Sequence, residues 1–185
     1  YHFNKGQINT GWQAIDNNWY YMNKNNAKME TGLQKIDNNT YYLNDQHDGT
    51  YGAMKTGWQY LNNHWYYFQG NGAAQTGWAN INNASYYLDP ATAQMATGDK
   101  AIGGLHYYFD PVSGHQVKGF VLDRHGLLQY YDEQNGVRQN NLGTYSFNPV
   151  TGEIITSSLT NGLNSIANKT VYFDTQSGKF VSNDW

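Results

Sequence analysis

The side chains of this 185-residue chain that have chemistry to offer are flat rings and amides, and they come in a repeated order. The stretch TGWQAIDNNWYYMN, Thr10 to Asn23, holds two Trp, two Tyr and one acid; TGWQYLNNHWYYFQ, Thr56 to Gln69, is a near copy. Around them lie 24 Asn and 13 Gln, a fifth of the chain, and each amide both donates and accepts hydrogen bonds. A ring beside Gln, Asn, Asp or Lys suits a sugar: the ring covers the apolar sugar face and the polar groups bond its hydroxyls. Metal and hydrolytic chemistry have no comparable signal. The six His (2, 47, 64, 106, 115, 125) are irregularly spaced, with no HExxH pattern. The 14 acids fall mostly at recurrent turn positions, without an EF-hand loop or a visible carboxylate pair. There is no Cys, no GxSxG element and no phosphate-cradling loop. The expectation is a chain with no metal, no cofactor and no catalytic activity of its own.

Composition says what must position these rings. Hydrophobic residues make up 39% and aromatics 16%, so the aliphatic share is too thin for one thick core. Net charge is −3 with no basic run, which argues against nucleic acid as a partner. Mean hydropathy is −0.77, and no apolar stretch approaches the roughly 20 residues of a membrane span, so no membrane insertion is expected.

The scaffold reads as a repeat. Aligned on the aromatic WYYF segment, the last apolar position falls at Phe3, Met22, Leu43, Phe68, Leu88, Phe109, Tyr131, Phe147 and Phe173, at intervals of 16 to 26 residues. An amide or acid follows each time, from Asn4 to Asp174, as the start of a turn. Within a repeat, a strand such as Gly11 to Ile15 leads through a three-residue polar turn such as Asp16-Asn17-Asn18 into the aromatic strand. This predicts an all-β solenoid of stacked short β-hairpins, about 20 residues per repeat, eight to nine repeats in a single domain over residues 1–185. Alternation along the strand puts Tyr20 and Met22 on a core face, and Trp19 and Tyr21 on a candidate ligand face. The opening at Tyr1 in mid-repeat, without a signal peptide, reads as a fragment of a larger protein.

These segments resemble the cell-wall-binding repeat superfamily of Gram-positive bacteria and their phages, which includes choline-binding repeats, the glucan-binding repeats of glucansucrases and related clostridial toxin repeats. TGWQAIDNNWYYMNKNNAKMETG (Thr10 to Gly32) and TGWQYLNNHWYYFQGNGAAQTGW (Thr56 to Trp78) are similar to the choline-binding style, and HYYFDPVSGHQVKGF (His106 to Phe120) to the glucan-binding style. The resemblance covers essentially the whole chain. It implies stacked hairpins with ligand sites between consecutive repeats, secretion or display on the cell wall, and attachment to a catalytic or surface domain outside this chain.

Two kinds of site follow from the resemblance. A choline-type cage, which holds a quaternary ammonium by cation–π attraction, maps onto Trp12 with Trp19 and Tyr42, and onto Trp58 with Trp65 and Tyr87. Met29 and Met54 stand where the family has its methionine. Leu33 with Thr40, Trp78 with Ser85, and Asp99 with His106 break the pattern elsewhere. A sugar-type site maps onto Tyr108 with Gln116 and Lys118, and more loosely onto Tyr21 with Lys28 and Tyr67 with Gln75. The leading expectation is a non-catalytic module that binds a polysaccharide, an α-glucan or cell-wall glycan, through many weak sites. A choline-binding anchor for teichoic acid is the alternative, and a structural spacer or adhesion surface the third.

Overall fold

The computed structural model describes residues 3–4, 7–123 and 125–181. The described residues form strands and turns, with one 3-10 turn at Thr156–Ser158. The hairpins follow one another in chain order: β1 (Phe3–Asn4) with β2 (Gln7–Ile8), β3 (Gly11–Ile15) with β4 (Asn18–Met22), β5 (Gly32–Ile36) with β6 (Asn39–Leu43), β7 (Gly57–Leu61) with β8 (His64–Phe68), and β9 (Gly77–Ile81) with β10 (Ala84–Leu88). Next come β11 (Gly98–Ile102) with β12 (Leu105–Phe109) and β13 (Gln116–Val117), β14 (Gly119–Leu122) with β15 (Leu128–Tyr131), and β16 (Asn141–Leu142) with β17 (Tyr145–Ser146). The last sheet joins β18 (Gly162–Ile166), β19 (Lys169–Asp174) and β20 (Lys179–Val181). The fold is the all-β array of stacked antiparallel hairpins that the repeat predicts.

The hairpin turns are tighter than the expected three residues. Asp16 and Asn17 both have positive φ (47° and 63°), and Asp37-Asn38, Asn62-Asn63, Asn82-Asn83 and Ala167-Asn168 repeat that signature. This is the two-residue turn whose twist matches that of the strands, and Asn and Asp enter it at low steric cost. The third residue, Asn18, Asn39, His64 or Ala84, already belongs to the second strand.

After the aromatic strand the chain turns back and pairs antiparallel with its end, by the short strands β13 and β20 on β12 and β19 and by a single bridge in six other repeats. Met22 pairs with Met29, Leu43 with Met54, Phe68 with Ala74, Leu88 with Met95, Tyr131 with Arg138 and Phe147 with Ile154. The same residue also ties its hairpin to the preceding one. The Met54 N–H donates to the Trp19 carbonyl (2.7 Å), Ala74 to Thr40 (2.8 Å) and Met95 to Trp65 (2.8 Å); further on, Arg138 donates to His106 (2.8 Å) and Ile154 to Leu128 (2.8 Å). Each such bond satisfies a backbone donor and sets the stacking register.

The chain divides into two compact units, residues 1–81 with 87–95, and residues 82–86 with 96–185; the division falls within the β9–β10 hairpin. In the first, Tyr21, Ile36 and Leu43 form one buried cluster, and Tyr42, Tyr66, Phe68 and Ala93 another. In the second, the core runs from Phe120, Leu128 and Tyr130 to Ile166, Val171 and Phe173. The recurrent apolar position is buried in every repeat from Met22 to Phe173. Each such side chain contributes about 1.5–3 kcal/mol through burial. The uneven C-terminal intervals also have a cause: β16 and β17 are two residues each, and the Thr156–Ser158 turn lengthens the next connection.

Candidate ligand-binding site

In the first compact unit, three rings and a thioether converge on a cleft of about 390 Å³, lined by Trp12, Trp19, Tyr41, Met54, Gly70 and Asn71. Trp12 comes from the first strand of its hairpin and Trp19 from the second; Tyr41 comes from the next hairpin, and Met54 from the bridge that follows it. Trp12 and Tyr41 meet at 4.9 Å between ring centroids and 64° between planes. Trp19 is 48% exposed, so its ring borders the cleft from the solvent side. No charged side chain lines the cleft. The lining suits a cation with no hydrogen to donate, held by ring faces and a polarizable sulfur.

The third ring is Tyr41, where the cage pattern pointed to Tyr42. Tyr42 is buried, and its hydroxyl donates to Asp45 Oδ1 at 2.7 Å. Burial in the first place, and the hydrogen bond to that carboxylate, push its pKa up. The cause is geometric. Tyr42 belongs to the position directly across the hairpin from the first-strand Trp or Leu, and that position supports its partner from behind. Trp12 pairs across the ladder with Tyr21 at 5.2 Å, and Trp58 with Tyr67 at 5.2 Å, both edge-on; Trp78 packs on Tyr87 in the same way at 5.5 Å. Tyr21 and Tyr87 are buried accordingly, so the expected ligand face is divided: Trp19 is open and Tyr21 closed. The preceding position is Tyr in five successive repeats (Tyr20, Tyr41, Tyr66, Tyr86, Tyr107); Tyr66 and Tyr86 are buried, as strand alternation predicts, whereas Tyr20, Tyr41 and Tyr107 are half-buried and Tyr41 turns its ring to the cleft.

The second Trp pair occupies the same strand positions as the first. Trp58 and Trp65 stand at 6.3 Å and 88°, Trp65 is 40% exposed, and Met95 bonds to the Trp65 carbonyl as Met54 does to that of Trp19. Trp78 is exposed with Ser85 in the second Trp position. Several of the expected sugar-type residues are bonded to the protein itself. Gln116 Nε2 donates to the Asn135 carbonyl (3.4 Å), Lys118 Nζ to that of Gln134 (2.6 Å), and Tyr108 packs on Tyr131 at 5.6 Å. Gln75 Nε2 donates to the Thr76 carbonyl (2.9 Å).

One junction of the second compact unit has the same positions filled differently. Where the first has Trp12, Trp19, Tyr41 and Met54, this one has Asp99, His106, Gln129 and Arg138. The buried Arg138 guanidinium donates through Nη1 to Asp99 Oδ2 (3.1 Å), and through Nη2 to the carbonyls of Pro149 and Val150 (both 3.1 Å). The Tyr131 hydroxyl donates to Asp99 Oδ2 (2.8 Å), and His106 Nδ1 to Asp99 Oδ1 (2.5 Å). Burial, reinforced by the Asp99 hydrogen bond, raises the Tyr131 pKa far above its ordinary value. The protein's own cation occupies this junction.

Comparison with known proteins places this geometry. The choline-binding repeat family matches residues 30–74, 55–99 and 96–142, and a family of cell wall binding repeats matches 10–25. Choline binding protein F from Streptococcus pneumoniae is similar at 30% identity over 81% of this chain and 49% of its own, with a TM-score of 0.66. CbpJ from Streptococcus pneumoniae TIGR4 is similar at 28% identity over 100% of this chain and 57% of its own, with a TM-score of 0.68. The chain thus spans about half the length of these solved proteins. A 41-residue stretch is 54% identical to Glucosyltransferase-I of Streptococcus mutans, which is 22% of this chain and 3% of that protein. With the family matching well over half of its residues, this chain belongs to the choline-binding repeat family.

Proposed function

We propose that this chain is a non-catalytic binding module that fastens a secreted or surface protein to a cell-wall polymer by holding its quaternary ammonium groups in aromatic cages. The observation that carries the reading is the cleft of Trp12, Trp19, Tyr41 and Met54, three rings and a thioether without a charged side chain. The family membership and the likeness to choline binding protein F support it. An α-glucan ligand at the Tyr108 position has less support, because Tyr108 packs on Tyr131 while Gln116 Nε2 and Lys118 Nζ reach backbone carbonyls of the next turn. Each cage is shallow and open, so useful affinity comes from several contacts along one polymer.

Choline titration followed by Trp fluorescence tests the proposal. The wild-type chain responds in the millimolar range. Trp19→Ala and Tyr41→Ala each remove the response of the first cage and leave that of Trp58 and Trp65, whereas Tyr42→Phe leaves both. A flat wild-type titration up to tens of millimolar choline overturns the reading.

A further inference from the structure

A second cleft in the first compact unit, about 440 Å³, differs in chemistry from the aromatic cage. One wall is the Asn44–Gly52 connection; the opposite wall is the strand bearing Gln59 and Tyr60. In six other repeats the polar residue after the aromatic strand accepts a backbone bond from the residue four positions on, as Ala27 N–H to Asn23 (2.8 Å) and Gly114 N–H to Asp110 (2.9 Å). Here the Gly52 N–H closes the same bond onto Asn44 (2.7 Å), eight positions on. The stacking scaffold therefore needs none of the four additional residues.

Those residues form an ordered wall all the same. Asn44 is 2% exposed, and its Nδ2 donates to Asp48 Oδ1 (2.8 Å) and Thr50 Oγ1 (2.8 Å). Asp48 Oδ1 also accepts from the Thr50 backbone N–H (2.9 Å), and Lys55 Nζ donates to Thr50 Oγ1 (3.0 Å). Asp45 Oδ1 accepts from Tyr42 and Gln46 (both 2.7 Å). The Oδ2 atoms of Asp45 and Asp48 accept no hydrogen bond among the described residues, although Lys55 Nζ stands 3.9 Å from Asp48 Oδ2. The bonds to Tyr42 and Gln46 hold the Asp45 carboxyl below the usual carboxylate range, and those to Thr50 do the same for Asp48. Across the cleft, Tyr60 is 56% exposed, with Trp65 against it at 5.1 Å. Gln59 Nε2 is committed to the Thr56 carbonyl (3.1 Å), which directs its Oε1 elsewhere.

We infer that this cleft is a saccharide subsite, in which Tyr60 covers the flat apolar face of a neutral gluco-configured pyranose while Asp45, Asp48, Gln59 and Lys55 bond its hydroxyls. Carboxylate oxygens with free lone pairs accept from vicinal hydroxyls, and the lysine ammonium donates to a ring or hydroxyl oxygen. The site deepens the binding-module reading: it would grip the sugar chain of a polymer whose ammonium groups enter the cage. It differs from the expected sugar-type positions, which lie in other repeats.

The test uses the full chain and three neutral probes, maltotriose, isomaltotriose and cellotriose, each titrated by isothermal calorimetry and saturation-transfer NMR. Millimolar binding of at least one is expected. Tyr60→Ala and the double variant Asp45→Asn/Asp48→Asn should each weaken it about tenfold or more. Trp19→Ala should leave sugar binding intact while removing the choline response of the first cage. Far-UV circular dichroism and the choline response of the first cage show that Tyr60→Ala is folded, because Tyr60 itself packs on Trp65 of the second Trp pair. No binding of any trisaccharide to the wild-type chain, or binding that survives Tyr60→Ala, overturns the subsite. A wild-type chain that binds trisaccharide but ignores choline overturns the cage reading alone.

Discussion

Arg138 shows how one side chain decides whether a junction is open. Its guanidinium reaches Asp99 and two backbone carbonyls, where the equivalent Met54 borders an open cleft. Arg138→Ala takes from the Asp99 carboxylate its cationic partner, leaving the Tyr131 and His106 donors, and removes three charge-assisted bonds. With the Asp99 side chain 31% exposed, the expected loss is about 2–3 kcal/mol, below the full cost of breaking a deeply buried pair. Urea denaturation measures it. Tyr131→Phe removes only the hydroxyl bond to Asp99 and should cost about 1 kcal/mol. At this scale the sequence was legible in part. Asp99 and His106 are visible as departures from the cage, but Arg138 lies 39 residues from its carboxylate partner and no local pattern joins them. The choice between Tyr41 and Tyr42 was equally out of reach, because both are aromatic and adjacent; the answer depends on which face the next hairpin turns toward Trp12.

The turn after the aromatic strand is the element that recurs most faithfully. Its first residue accepts backbone N–H bonds two and three positions on: Asp110 Oδ1 from Val112 (3.1 Å) and Ser113 (2.7 Å), and Asn148 Oδ1 from Val150 (2.8 Å) and Thr151 (3.1 Å). The Ser113 backbone bond, followed by that from its hydroxyl, lowers the Asp110 carboxyl below its ordinary value; the Ser177 hydroxyl, then the Gln176 N–H, do the same at Asp174. A folded-state value below the unfolded one contributes stability that is complete above about pH 4 and is lost as pH falls through the lowered value. Thermal unfolding followed from pH 6 to pH 2 should show this loss. Asp110→Asn should keep the turn, as Asn148 does, and reduce the acid sensitivity. The glycine of this turn carries a second demand. Gly72 has φ 82°, and a Cβ there would run into the Met54 thioether. Gly72→Ala should cost about 2 kcal/mol, from left-handed backbone and steric contact together. In a Met54→Ala background the steric part should vanish, giving a coupling of about 1 kcal/mol in a double-mutant cycle by chemical denaturation. The chain already contains that solution: Ala74 at the Met54 position accompanies Ala93 (φ 59°) in the turn, and the two pack in one cluster.

For the molecule as a whole, the two compact units have different contents. The first holds both Trp pairs and the polar cleft; the second holds the aliphatic and aromatic core around Leu128 and Ile166 and the Arg138 network. A ligand that binds only folded protein adds stability as RT ln(1 + [L]/Kd), about 2.7 kcal/mol at a hundredfold excess over Kd. Choline should therefore slow amide hydrogen exchange in hairpins β3–β4 to β7–β8, with the hairpins from β14 to β19 unchanged. Equal protection of both sets would move the ligand site away from the Trp pairs.

The sequence by itself determined the repeat, the hairpin, the place of its turns and the buried apolar position, because each depends on residues within about twenty positions of one another. Period-two alternation, Asn and Asp at positive φ, and a recurrent Phe, Leu or Met are local facts that survive any arrangement of the repeats. Only the tertiary structure decided which Tyr faces Trp12, that Arg138 fills a junction with its own charge, that Gln116 and Lys118 are committed to the next turn, and that the four added residues after Asn44 build a polar wall. These are stacking outcomes. A site between hairpins takes side chains from two or three repeats, and its faces are set by the bond from each bridge residue to the carbonyl of the preceding hairpin, a register that no single repeat contains.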